Sequence, residues 1–270
     1  MTETGSGTPS STAPGRRGDA TVIWEAVERS RSWLDAVNGT SPQEQTMRLF
    51  KLVEEAGEVA EAWIGIQGQN PLKGVTHTAP ELIGELGDVA FTALVAAASF
   101  GAHPYDVLAA IAAKMRVRLD PAPAAVQARG EGRVTAGLPP GGGDGEHHPT
   151  AGEHEVAETR DVFAMLTAVA HAQTRRFPRH NGAFERLARL HEESGEVAKL
   201  VNHAEDTGVK TQRYGPFNPQ DLAGEIVDVL LTAVGLAVHY QLEDRLPAVI
   251  QARRDRYRDL GHLPDQTSAP

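Results

Sequence analysis

The sequence predicts an all-α protein made of two tandem four-helix repeats. Three observations support this prediction. Apolar residues recur with the period of amphipathic helices in both halves of the chain. The alternation of β-branched and polar residues that is typical of strands is absent. One pattern of acidic residues occurs twice, which indicates two related units rather than one large domain.

The duplicated pattern consists of two acidic segments in each half. The first copy is EEAGE at 54–58 followed by ELGD at 85–88. The second copy is EESGE at 192–196 followed by EIVD at 225–228. The offset between the copies is 192 − 54 = 138 for the first segment and 225 − 85 = 140 for the second. Such a regular offset predicts that the two halves share one fold.

The repeats also define the domain boundaries. A linker rich in Pro and Gly separates them, and a flexible chain of roughly 35–40 residues spans about 30–35 Å. We therefore expect the repeats to dock as an intramolecular pseudo-dimer, with two independent bundles as the alternative; pairing of two chains into a homodimer stays open. The predicted units are a disordered N-terminus at 1–20, the first repeat at 21–120, a flexible linker at 121–157, the second repeat at 158–261 and a loose tail at 262–270.

Local sequence signals place the helices of the first repeat. Asn38-Gly39 suits a helix end, and Ser41-Pro42 reads as an N-cap followed by a first-turn proline. Gly101 ends a later apolar run. The helices of this repeat are predicted over about 21–37, 42–66 and 80–100, and from about 104 to just before Asp120.

The second repeat restarts after the linker with the same order of elements. Its predicted helices run over about 158–176, 183–203, 220–240 and 242–260, with an irregular loop at 206–219.

Composition limits the function classes. A formal net charge of −10 and a pI near 5.6 argue against a protein that coats nucleic acid. The chain has no cysteine, which excludes disulfides and thiolate metal sites. The first twenty residues lack an apolar core like that of a secretory signal, and no apolar run reaches about 18 residues. We therefore expect a cytoplasmic protein with no membrane partner.

The acidic segments predict a metal site in each repeat. On a helical wheel Glu55 and Glu58 fall on one flank of an apolar stripe, and Glu85 and Asp88 fall on the same flank of the next helix. Packing of the two stripes would gather carboxylates that repel one another unless a cation lies among them. An all-oxygen ligand set favours Mg²⁺, with Mn²⁺ as a substitute. The alternative is an ordinary solvated acidic face. The corresponding residues of the second repeat are Glu193, Glu196, Glu225 and Asp228.

Such a site suits polyphosphate chemistry. Metal ions neutralise phosphate oxygens and lower the pKa of a bound water, which would be the nucleophile because no cysteine, Ser-His pair or P-loop is present. Of the outer glutamates, Glu54 in the first repeat and Glu192 in the second are the candidates to orient or deprotonate that water.

The pattern E-E-x-x-E, a spacer and E-x-x-D on two helices resembles the MazG family of all-α nucleoside triphosphate pyrophosphatases. The resemblance covers each repeat from its first helix to its fourth. It implies Mg²⁺-dependent hydrolysis of (d)NTPs between the α- and β-phosphates, with the eight carboxylates above as metal ligands. Where the family has K-x-x-x-N on the fourth helix, this chain has Lys114 with Arg118, and Arg253 with Tyr257. The residues expected to contact substrate are Lys73, Lys114, Arg118, Lys210 and Arg253.

Two other function classes compete with this prediction. A di-iron carboxylate bundle also places glutamates inside helices, but it uses Glu-x-x-His motifs that the glutamate pairs here do not form. A non-catalytic nucleotide-binding or scaffold protein would keep the fold without turnover. In the docked arrangement we expect basic residues near Arg118 or Arg254 to lie close to a carboxylate cluster, with the cluster of the opposite repeat as one option.

Overall fold

The computed structural model describes residues 19–102, 107, 110–111, 162–259 and 261. Within these residues the regular structure comprises eight α-helices and two single-turn 3-10 helices, and no residue belongs to a strand. The predicted all-α class is therefore confirmed for this part of the chain. The predicted linker at 121–157, most of the terminal segments and nearly all of the fourth helix of the first repeat lie outside the described residues.

The long helices coincide with the predicted ones to within a few residues. In the first repeat they are α1 Asp19–Asn38, α2 Pro42–Gln67 and α3 Ala79–Ser99. In the second repeat they are α4 Val162–Arg176, α5 Ala183–Ala204, α7 Pro219–His239 and α8 Leu246–Asp259, and the five-residue α6 Lys210–Tyr214 lies between α5 and α7. The 3-10 helices are Pro178–His180 and Glu243–Arg245. Helix α1 begins within the segment predicted to be disordered, close to its end.

Helix α6 was not predicted, because the sequence indicated only an irregular loop there. A tertiary contact holds this segment rather than a local pattern. The buried ring of His203 on α5 lies with Nε2 2.7 Å from the carbonyl oxygen of Gly215. The same ring packs edge-on against Phe217, with ring centroids 5.9 Å apart. One buried side chain thereby fixes the end of α6 and the residues that lead into α7.

Side chains cap the starts of α2 and α3, and the Ser41-Pro42 start of α2 follows the signal read from the sequence. Ser41 accepts a hydrogen bond through Oγ from the backbone N–H of Glu44 at 3.2 Å, next to the first-turn Pro42. At the start of α3, the backbone N–H of Thr78 donates to Glu81 Oε2 at 2.7 Å. Each bond satisfies a backbone donor near a helix start, which is worth about 1 kcal/mol in typical proteins.

Each repeat packs its helices in the same way. Helix α2 lies against α3 in the first repeat and α5 lies against α7 in the second, while α1 and α4 cover α3 and α7. Leu52 and Leu190, which match at the first offset of the repeat, are both fully buried, and so are Leu86 and Ile226, which match at the second. Burial of each such side chain stabilises the fold by about 1.5–3 kcal/mol. The apolar stripes that align the acidic residues are therefore core contacts.

The two repeats also pack against each other. Helix α3 contacts α7, α2 contacts α5, and the last helix α8 lies on α3 of the opposite repeat. The buried apolar residues of both repeats form one continuous hydrophobic core. The rings of Trp63 and Phe184, which come from different repeats, lie 6.4 Å apart between centroids. Contacts between α8 and α3 bring side chains of the second repeat to the acidic face of the first.

The contact between α3 and α8 depends on Gly87. A Cβ added there would lie 2.5 Å from Cγ1 and 3.3 Å from Cβ of Val249 on α8. Only a hydrogen fits at this point of closest approach. Four other glycines occupy matching positions in the two repeats: Gly57 with Gly195, and Gly84 with Gly224. A Cβ on any of these four would have no atom within 4 Å, so close helix approach does not account for them.

Helices α3 and α7 are long and apolar enough to cross a membrane by length and composition alone. Each has 21 residues, and their most apolar windows have mean hydropathies of 1.5 and 1.7. This corrects the expectation that no stretch of the chain is long and apolar enough to cross a membrane. In both helices 72% of the window is buried inside the protein. Core helices of soluble proteins pass the same test, so the finding is weak evidence for a membrane span.

We predict opposite effects for alanine at two glycines of α3. Gly87→Ala should lower the free energy of unfolding by about 1–3 kcal/mol, because the new methyl group overpacks the contact with Val249. Gly84→Ala, one turn earlier in open space, should raise it by up to about 1 kcal/mol through helix propensity. Urea denaturation of the two variants measures both changes. Equal effects would show that α8 does not dock on α3 in solution.

Candidate functional site

Three carboxylates of the first repeat converge at one point, which we call the first acidic cluster: Glu55, Glu58 and Glu85. Each offers an oxygen within 4.8 Å of the oxygens of the other two. Glu55 and Glu58 are one turn apart on α2, and Glu85 is on α3. The packing of α2 on α3 brings these side chains together, as the shared flank of the two apolar stripes predicts.

Glu55 is the buried member of the cluster. Only 1% of the residue is exposed, and its Oε2 atom is buried without a hydrogen-bond partner in the described part of the chain. A buried carboxylate oxygen with no donor is costly. An orphaned oxygen of this kind, facing two further carboxylates, suits coordination of a hard cation.

Two cations offset the charge of Glu55. Lys51 Nζ lies 3.0 Å from Glu55 Oε1 and 3.1 Å from Glu54 Oε2. The guanidinium of Arg253, on α8 of the second repeat, donates to the same Glu55 oxygen at 3.4 Å and forms an ion pair with Asp88. The first cluster is thus completed by a residue 198 positions away in the sequence.

The electrostatics of the cluster are reflected in the pKa values of its members and neighbours. A hydrogen bond to Glu55 that Glu58 can donate only while it is protonated, followed by burial and the charges of Glu55 and Glu85, raises the pKa of Glu58 to about 7. Burial would lower the pKa of Lys51, but hydrogen bonds to Glu55 and Glu54 outweigh it and raise that pKa. Negative charge therefore remains in excess at the cluster even with the cations in place.

The second repeat forms a second acidic cluster from Glu193, Glu225 and Asp228, again within 4.8 Å of one another. It differs from the first in membership. Asp228 belongs to it, whereas its counterpart Asp88 pairs with Arg253. Glu196 instead forms an ion pair with Lys199 at 2.7 Å, and this bond is the main cause of the raised pKa of Lys199. Each repeat therefore gathers three of its four predicted metal ligands.

The other predicted site residues that the structure describes lie outside the two clusters, although Lys51 links Glu54 to Glu55. The candidate general bases Glu54 and Glu192 are both exposed on the outer faces of their helices. Lys73 is exposed in the loop after α2, and Lys210 is half-buried at the start of α6. Lys114 and Arg118 lie outside the described residues, and so does the side chain of Arg254. Arg253 is the predicted substrate-binding residue that reaches a cluster.

A cavity of about 380 Å³ adjoins the first acidic cluster, and we call it the first cavity. Lys51 and Arg253, which contact the cluster, also line this cavity. Its remaining wall is mainly apolar and aromatic, with Trp33, Phe91 and Met47. The further lining residues are Ser30, Leu34, Asn38, Glu44, Arg48, Thr92 and Val95.

A second cavity, of about 50 Å³, lies beside the second acidic cluster. Glu193 and Asp228 of the cluster line it together with the side chains of Arg186 and Arg189. Arg186 is only 2% exposed, and burial, followed by the charge of Arg189, lowers its pKa to about 10. Gln173, Leu231 and Thr232 complete the lining.

Sequence reasoning missed two groups of residues at these sites. Lys51 was overlooked, although its position four residues before Glu55 on a helix is the spacing of an ion pair. An aromatic residue at helical spacing, such as Trp33, carries no signal in the sequence that it lines a cavity. The buried Arg48 and Arg186 were not considered, although an arginine inside an apolar helical stripe predicts a buried polar network.

Comparison of the chain with protein-family models, with curated proteins and with solved structures finds no match for it. The acidic clusters, the cavities beside them and the duplicated acidic pattern are therefore the features that bear on function.

We predict that Glu58→Gln abolishes divalent-metal binding at the first acidic cluster without unfolding the protein. At pH 8 the substitution removes a carboxylate that Glu55 and Glu85 repel, so the metal-free variant should unfold at the same or a higher temperature. A wild-type chain saturated with Mn²⁺ at a hundred times its Kd gains about 2.7 kcal/mol, or roughly 5–10 °C in Tm. The variant should lose this gain, as thermal unfolding with and without Mn²⁺ will show.

Glu61→Gln is the matched control for this measurement, since Glu61 is exposed one turn further along α2. It should keep the full Mn²⁺-dependent increase. If Glu58→Gln shows the same increase as the control, the first acidic cluster is not a metal site.

Proposed function

We propose that the chain is a Mg²⁺- or Mn²⁺-dependent nucleoside triphosphate pyrophosphohydrolase that converts (d)NTPs to the monophosphate and pyrophosphate. One observation carries the proposal. A buried glutamate with an orphaned oxygen stands among two further carboxylates, beside a cavity with an aromatic wall and two cations at their shared edge. This arrangement offers separate places for a metal ion, a polyphosphate and a flat apolar group.

The residues of the first acidic cluster fit a hard divalent cation. All donors are carboxylate oxygens, which Mg²⁺ and Mn²⁺ prefer, and Glu55 Oε2 lacks a partner among the described residues. Glu55, Glu58 and Glu85 would hold the ion, with Asp88 close by through its pairing with Arg253. When bound, a divalent ion supplies charge neutralisation for phosphate oxygens and acidifies a water.

Lys51 and Arg253 are suited to bind the phosphates. Both contact Glu55, and both line the first cavity, so they stand between the acidic cluster and that cavity. Arginine presents a planar fork that matches phosphate oxygens, and lysine acts as a compact point charge. A polyphosphate bound between the cluster and the cavity would replace the carboxylate partners of Lys51 and Arg253 with phosphate oxygens.

The first cavity is suited to the base and sugar. Its volume of about 380 Å³ lies in the usual range of small-molecule sites. Trp33 and Phe91 offer aromatic surface for a base. Ser30 Oγ is buried without a hydrogen-bond partner among the described residues, so it is available to a polar edge of the ligand.

Non-catalytic nucleotide binding is the second candidate, and one observation favours it. The carboxylates predicted to orient or deprotonate water, Glu54 and Glu192, are exposed and lie outside both clusters. A chain that binds nucleotide without a base in place would bind and release it unchanged. Detection of turnover separates the two functions.

The proposal includes the assembly and the location of the protein. The contacts of α3 with α7 and with α8 support an arrangement in which the repeats act as an intramolecular pseudo-dimer of MazG-like bundles. Helices α3 and α7 are mostly buried in these contacts, which supports a cytoplasmic protein. A free nucleoside triphosphate is the proposed partner in solution.

We predict that the purified protein with Mg²⁺ releases monophosphate and pyrophosphate from at least one of the eight common NTPs and dNTPs. Ion-exchange chromatography after a single turnover identifies the first products. Glu55→Gln should lower kcat/KM at least about 100-fold, the upper end of what the loss of an outer-shell partner costs a metal site. Glu61→Gln should leave it unchanged. Diphosphate and orthophosphate as first products would contradict the proposed reaction.

We predict a separate effect for Arg253. Arg253→Ala should raise KM for the triphosphate about 10- to 100-fold, because a charge-assisted hydrogen bond to phosphate is lost. Arg256→Ala is the matched control, since Arg256 is exposed on the same helix. Steady-state kinetics measure both variants. Equal KM values for the two would show that α8 contributes nothing to substrate binding.

A further inference from the structure

The two cavities occupy the same place in their repeats. Each adjoins the acidic cluster of its own repeat, and four lining residues of the second cavity match four of the first at the offsets of the duplication. These offsets are 186 − 48 = 138 between α2 and α5, and 231 − 91 = 140 between α3 and α7. The matched pairs are Arg48 with Arg186, Lys51 with Arg189, Phe91 with Leu231 and Thr92 with Thr232.

The volumes of the cavities differ enough to decide what each can hold. The first has about 380 Å³ and the second about 50 Å³. Small-molecule sites usually measure about 300–1,000 Å³, and a single water occupies about 30 Å³ in the liquid. The second cavity therefore has room for one or two waters, and a nucleobase with its sugar does not fit.

In the first repeat, the buried Arg48 is drawn towards α1. Its NH1 group donates to Asp35 Oδ1 at 2.7 Å and to Ser99 Oγ at 2.9 Å. Its NH2 group donates to the carbonyl oxygen of Gly39 at 3.1 Å. A carboxylate and two neutral oxygens thus hold the guanidinium at the wall, and Val95 fills the adjacent position on α3.

In the second repeat, the partners of the equivalent Arg186 have changed. Gly235 stands where Val95 stands in the first repeat (95 + 140 = 235), and both oxygens that accept hydrogen bonds from Arg186 are neutral. The guanidinium packs over Gly235 so closely that any Cβ at that position would collide with it. Arg186 donates to Thr174 Oγ1 at 2.6 Å and to the carbonyl oxygen of Asn181 at 2.9 Å.

We infer that Arg186 closes the second cavity and that each chain binds one nucleoside triphosphate, in the first cavity alone. This inference rests on the proposed function and narrows it to one of the two repeats. The loss of a carboxylate partner and of a valine side chain lets the guanidinium occupy the space that the first repeat leaves open. The second repeat contributes Arg253 to the first site instead of a nucleotide site of its own.

The test is a binding stoichiometry on the full chain. Isothermal titration calorimetry with Mg²⁺ and the α,β-imido analogues of the four common dNTPs, one at a time, should give one site per chain for every analogue that binds. Trp33→Ala should weaken this binding about 5- to 150-fold, the range expected when a base loses an aromatic stacking partner. His171→Ala, on α4 and in the lining of neither cavity, should change it less than twofold.

The outcomes separate this inference from the proposed function. Two sites per chain, or one site that is insensitive to Trp33→Ala, would overturn the inference while turnover in the product assay still supported the proposed reaction. One Trp33-dependent site without turnover would support the inference and reject the enzyme. No binding of any analogue and no turnover would reject both.

Discussion

The burial of the Glu55 carboxylate is the constraint on which the site depends. Removing an ionised carboxylate from water costs several kcal/mol unless cations and donors compensate for it. Here Lys51 on the same helix and Arg253 from the last helix supply that compensation, at 3.0 and 3.4 Å from one oxygen. A charge buried in the first repeat therefore draws α8 of the second repeat onto α3, where Gly87 permits the close contact that Arg253 needs. Electrostatics and packing favour the same docking.

A buried arginine occupies the same position in each repeat, Arg48 in the first and Arg186 in the second, and the surroundings of the two differ. A buried guanidinium must satisfy its donors, and it moves towards the acceptors that are available. Asp35 holds Arg48 at the cavity wall, whereas Arg186 has the neutral acceptors Thr174 and Asn181 instead. Two changes that leave the helices and the core as they were thus alter the volume next to an acidic cluster. The two repeats therefore share one helix arrangement, although the cavities beside their acidic clusters differ in volume.

The sequence predicted the features that depend on the helical period of apolar and acidic residues. The helices, and the gathering of three carboxylates in each repeat, follow from which residues share a helix face. The contact between Arg253 and Glu55 joins residues 198 positions apart, and periodicity does not show which helix docks on which. Spacing alone also predicted four acids in each cluster. In the structure Asp88 pairs with Arg253 and Glu196 pairs with Lys199, so each cluster has three. Helix α6 depends on a buried histidine beyond the reach of any local pattern.

The cations at the two acidic clusters come from different helices. At the first cluster Lys51 belongs to α2 of the same repeat, whereas Arg253 comes from α8 of the other repeat and pairs with both Glu55 and Asp88. At the second cluster Arg189 lines the cavity beside Glu193 and Asp228, and Lys199 pairs with Glu196 on the same helix. The guanidinium of Arg186 also lines this cavity and packs over Gly235, so cationic side chains occupy the space that stays open beside the first cluster.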